Sequence, residues 1–164
     1  MILKKSDNNY YPSLLLTVIA VTVYWSLKDG AAQLTVFTGC SWQQALLYHF
    51  AHINIFHLAA NIMALWTFHP RWMTVAVAYV ISTIAALLLS LIPGYGPVCG
   101  LSAFLFACFA RRYATWHTPV WNIILVNAVF FFIPGIDAAI HLLSFFISYL
   151  VWKAVATYRE RQHS

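Results

Sequence analysis

Six apolar runs, cut apart by short stretches of charge, glycine or proline, take up most of this chain. They read as Ser13 to Leu27, Ala45 to Phe68, Trp72 to Ile92, Leu101 to Ala110 with a polar tail, Pro119 to Ile133, and Ala138 to Thr157. The breaks fall at Lys28-Asp29-Gly30, His69-Pro70-Arg71, Pro93-Gly94-Tyr95-Gly96-Pro97, Arg111-Arg112 and Pro134-Gly135, all of them turn or charge punctuation. A bilayer core takes about 20 residues of helix to cross, so six spans use about 120. Of 164 residues, that leaves short loops and no room for a separate soluble domain.

With 62% hydrophobic and only 8% charged residues, the chain is too apolar for a soluble domain. The expected class is an all-α integral membrane protein: one domain over 1–164, a six-helix bundle with a short central fourth helix. A short cytoplasmic N-terminal segment (1–12) and a C-terminal tail (158–164) flank it. A net charge of +5 raises the question of a nucleic-acid partner, but the basic residues stand singly or in pairs at the ends of apolar runs. The positive-inside rule accounts for them without one. Placing the N-terminus inside gives the inner side Lys4, Lys5, Arg71, Arg111, Arg112, Lys153, Arg159 and Arg161, and the outer side only Lys28. The first run reads as a retained span, because Tyr24-Trp25-Ser26-Leu27 offers no small-residue cleavage site. Cys40, Cys99 and Cys108 show no metal-ligand spacing. Cys40 and Cys99 both fall in outer loops, where one bridge is open to them, and Cys108 reads as helix packing.

This topology puts Ser102, opening the fourth run, and His141, near the start of the sixth, in the same leaflet. Nine residues separate Ser102 from Arg111, about 13 Å of helix against a core of about 30 Å, so Ser102 lies below the outer surface. The loop from Pro93 to Gly100 must then dip to membrane depth, which requires protein or a wet cavity to satisfy its backbone. A pocket open to the outside is the simplest such arrangement.

The second run carries His49, His52, Asn54, His57 and Asn61, with His57 and Asn61 one turn apart on one face. Polar groups at this depth are functional candidates, or else they make interhelical hydrogen bonds. Ser102 after Gly100 also fits a helix N-cap, and His141 a satisfied core histidine. Taken together they supply what acyl transfer needs: a nucleophile, a base, and donors for an oxyanion, including the Leu101 and Ser102 backbone N–H groups at a helix start.

These motifs resemble those of the rhomboid intramembrane serine proteases. The family's His-x4-His-x3-Asn stands as His52, His57 and Asn61, its Gly-x-Ser-small as Gly100-Leu101-Ser102-Ala103, and its last-span histidine as His141 after Asp137-Ala138-Ala139-Ile140. The resemblance runs from about Ser41 to Trp152. It implies a Ser102–His141 dyad, with His57, Asn61 and the Leu101 backbone stabilising the oxyanion and Gly100, Phe106 and His52 in support. Phe106 stands where the family stacks a ring on its histidine, with lipid or core packing as the plain alternative; His52 would help organise the water-accessible pocket. No cofactor or metal is implied. The expected partners are transmembrane protein substrates and the bilayer, the expected state a monomer, and the expected location a bacterial inner membrane with both termini cytoplasmic.

Two departures stand out. Gln43-Gln44 follow Trp42 where the family has Trp-Arg, and Ser144 and Ser148 replace two glycines of the last span. The serines are expected to keep a small-residue interface, slightly widened, with their hydroxyls bonded back to their own helix. Asp137 fits a helix N-terminal role better than a triad acid. Phe130, Phe131 and Phe132 suit either a lateral gate or lipid contact. Competing readings are an idle rhomboid-like scaffold and a haem protein using pairs among His49, His52, His57 and His141. A zinc protease lacks its His-Glu-x-x-His helix, since no glutamate precedes Glu160.

Overall fold

A computed structural model describes residues 10–27, 33–116, 119–132 and 136–162. Lys4, Lys5 and Lys28, and the breaks at Lys28-Asp29-Gly30 and Pro134-Gly135, lie outside the described residues. Within them the chain is all-helical: α1 (Tyr11–Leu27), α2 (Trp42–Leu47), α3 (Ile55–Phe68), α4 (Trp72–Ser90), α5 (Ser102–Trp116), α6 (Trp121–Phe131) and α7 (Ala138–Gln162), with a 3-10 turn at Tyr48–Phe50. Two of these, α4 and α7, are long and apolar enough to cross a membrane; α1, α3 and α6 are shorter apolar helices.

The run from Ala45 to Phe68 is not one helix, contrary to the expectation from hydropathy. Ser41 and Gln44 form a reciprocal capping box that starts α2. The chain then turns extended at Ala51, and Asn54 begins a new helix by accepting the His57 N–H at 2.8 Å. His49 and His52 therefore sit in a layer that precedes α3. Hydropathy misses this break because no Gly or Pro marks it. Where a proline does follow, the helix end is as read: His69 caps α3 in the left-handed region (φ 44) ahead of Pro70.

Two other expected boundaries move. The helix of the fourth run passes through Arg111-Arg112 to Trp116, because long basic side chains extend their charge without breaking a helix. Arg111 bonds Thr74 and lies 4.8 Å over the Trp152 ring. Likewise α7 continues to Gln162, so most of the expected tail is helical.

Successive long helices alternate in direction. At one end Tyr10 meets Trp66 and His69, and the Ser13 hydroxyl reaches the Leu65 carbonyl. At the other, the chain around Val36–Gly39 ties to α4 and the Pro93–Gly100 loop: Gly39 N–H donates to Ser90 at 3.0 Å, Val36 and Val98 exchange bonds at 2.9 Å, and Gly100 N–H donates to the Tyr48 carbonyl at 2.9 Å. Protein groups thus take up backbone hydrogen bonds of that loop at Val98 and Gly100. Cys40 and Cys99 are free thiols.

Helix α5 lies at the centre, against α3, α4 and most extensively α7, with Leu101 and every residue from Ala103 to Cys108 buried. Apolar side chains also point outward: Phe56 is 82% and Phe132 80% exposed, with Leu91 and Met63 close behind. A soluble monomer rarely leaves so much large apolar surface in water.

Candidate active site

Gly100 makes the turn into α5. Its φ of +107 is open to glycine, and a Cβ there would sit 2.6 Å from His57 Cε1. The missing side chain lets the α3 imidazole rest against the turn that delivers Ser102. As the first residue of α5, Ser102 also stands where the early N–H groups lack intrahelical acceptors.

Helix α7 brings His141 to the same point. His141 Nε2 lies 2.7 Å from Ser102 Oγ. The Phe106 ring stacks on the imidazole at 4.6 Å and 6°, and Phe130 meets it edge-on at 6.0 Å. His141 Nδ1 is buried with no hydrogen-bond partner. Asp137 does not reach it: its Oδ1 accepts from the N–H groups of Ala139 at 2.8 Å and Ile140 at 3.1 Å, the helix-capping role expected for it.

A cavity of about 320 Å³ holds these groups together, with Ser102, His141, His57, Asn61, Gly100 and Phe106 all in its wall. Asn61 Nδ2 donates one bond to the His57 carbonyl at 3.0 Å, leaving its second N–H unspent. The site residues expected from sequence thus share one space, with two exceptions: Leu101, which is buried in the apolar core beside the cavity, and the imidazole of His52. That ring sits behind, 5.1 Å from His57, with Nδ1–H on the Phe50 carbonyl at 3.1 Å. Burial, then His57, lowers its pKa to about 4, with the Phe50 bond opposing, so it is neutral at pH 7. Cys99, also in the cavity wall, has its thiol pushed up to about 11 by burial, against a backbone bond from Ile53.

Several features escaped the sequence. Tyr48 joins the cavity wall, gives its carbonyl to Gly100, and sends its hydroxyl to the Ser82 carbonyl at 3.1 Å; a main-chain acceptor leaves no motif. His49 turns away to Thr83 Oγ1 at 3.2 Å. Phe130 faces His141 while Phe131 and Phe132 point outward, a split that helical spacing allows. Contrary to expectation, the Ser148 hydroxyl does not bond back to its own helix. It donates across to the Ala107 carbonyl of α5 at 2.7 Å, because small residues bring the two backbones within reach. Ser144 is fully buried with its hydroxyl unpartnered. No protein-family model matches the chain, and no curated protein does.

Proposed function

We propose that the chain is a rhomboid-type intramembrane serine protease that hydrolyses a peptide bond in or near a substrate's transmembrane helix. The observation that carries this reading is the 2.7 Å contact between His141 Nε2 and Ser102 Oγ inside a cavity that also holds His57 and Asn61. In this mechanism His141, protonated at Nδ1, accepts the Ser102 proton at Nε2 as Oγ attacks the carbonyl. The Phe106 face favours the imidazolium that forms. The Asn61 and His57 side chains, with the first N–H groups of α5, hold the oxyanion; one such donor is worth about a hundredfold to a thousandfold in rate. The amine leaves with the proton from His141, and water hydrolyses the acyl-enzyme.

The finer architecture belongs to the same proposal: α1, α3, α4, α5, α6 and α7 are the six spans, and α2 lies in the outer interface. Arg71, Arg111, Arg112, Lys153, Arg159 and Arg161 then mark the cytoplasmic side of a bacterial inner membrane, and the cavity opens outward. The reading is tested by reconstituting the chain in liposomes with single-span reporter proteins. Cleavage by the native chain and none by Ser102→Ala supports it. Equal cleavage by both would sink it.

A further inference from the structure

Between α5, α6 and the end of α3 lies a second cavity of about 410 Å³, walled by Phe68, Phe106, Phe109, Tyr113, Ile123 and Val126, with Arg112 its one charged lining residue. It belongs to the end that carries the described arginines: Arg112 is exposed, and Arg71 and Arg159 stand close enough to Arg111 to act on its charge. We propose that this cavity binds one acyl chain of an anionic phospholipid, with the headgroup phosphate on Arg112.

Two observations choose this occupant. The walls are rings and branched alkyl groups, so a peptide segment lodged there would leave backbone N–H and C=O groups unsatisfied, whereas an acyl chain has none to satisfy. The charge at the rim is a guanidinium, which matches a phosphodiester in geometry and sign, and basic pockets between helices on the cytoplasmic side suit anionic headgroups. From Arg112 to Phe106 is six residues of α5, about 9 Å. A chain entering at Arg112 therefore passes beneath the Phe106 ring, which lines this cavity and stacks on His141, and the lipid supports that ring from below. This inference rests on the membrane placement and sidedness proposed above. It does not rest on Ser102 being a nucleophile.

The test is native mass spectrometry of the full chain in detergent, titrated with dioleoyl phosphatidylglycerol, dioleoyl phosphatidylcholine or glycerol 3-phosphate. One phosphatidylglycerol should stay bound, favoured about fivefold over phosphatidylcholine, with no retention of glycerol 3-phosphate. Arg112→Gln should remove the preference and Arg112→Lys should keep part of it. Val126→Phe and Val126→Trp, which add bulk from a partly exposed position on α6, should cut retention of both lipids about fivefold or more, with circular dichroism checking the fold. Equal retention of the two lipids by the native chain would overturn the proposal. So would tight binding of glycerol 3-phosphate, or undiminished phosphatidylglycerol in folded Val126 variants, which would reduce the site to surface charge.

Discussion

Gly100 carries the tightest constraint around Ser102, because its φ of +107 and the 2.6 Å approach of His57 leave no room for a Cβ. Gly100→Ala should cost about 1 to 3 kcal/mol of stability from backbone strain. By shifting the turn under Ser102, it should also slow the Ser102 reaction by about a hundredfold. Thermal unfolding and acylation kinetics on one preparation measure the two effects. His52 gives a pH signature. Its folded pKa of about 4 lies below the free value near 6.5, so the unfolded chain takes up the proton first. Its contribution is fully present above about pH 6.5 and falls away as pH drops toward 4. His52→Asn should therefore flatten part of the acid slope in a thermal-stability profile, and an unchanged slope would contradict the assignment. Serine and histidine announced themselves in the sequence by type and spacing. Tyr48 did not, because what it contributes to the turn before Ser102 is a carbonyl, which every residue has.

At the scale of elements, the α5–α7 contact fixes the distance between Ser102 and His141. Ser148 spans it with a 2.7 Å bond to the Ala107 carbonyl. Ser148→Ala should cost only about 0.6 kcal/mol, the usual worth of such a bond between membrane helices, and leave acylation nearly unchanged. A loss of several kcal/mol on chemical unfolding would show that the hydroxyl has a larger role. Helix ends marked by Pro or Gly were legible, as at His69-Pro70. Two kinds of boundary were not. The α2–α3 break is set by the Asn54 cap inside an unbroken apolar run, and α5 runs on past Arg111-Arg112 because charge alone does not stop a helix. The direction of the Ser148 hydroxyl was equally hidden, since the choice between its own helix and α5 depends on how closely the backbones approach.

For the whole molecule, composition already pointed to helices in a lipid environment, and the exposed Phe56, Met63, Leu91 and Phe132 agree with it. Two helices have clear membrane length. The three shorter apolar helices and the split second run show that an apolar run marks buried or lipid-facing chain without fixing where its helices begin and end. Alternating helix direction brings His57, Ser102 and His141 to one cavity from three helices, with Gly100 in the turn before α5, a convergence that motif order implied and only packing provides. The central claim is that this cavity makes Ser102 a nucleophile with His141 as its base. It is tested most directly by labelling the folded native chain, Ser102→Ala and His141→Ala with a serine-reactive phosphonate and locating the adduct by mass spectrometry. The expected result is an adduct on Ser102 in the native chain, none in Ser102→Ala, and strongly slowed labelling in His141→Ala. Undiminished labelling of Ser102→Ala, or no adduct on a folded native chain, would contradict the claim.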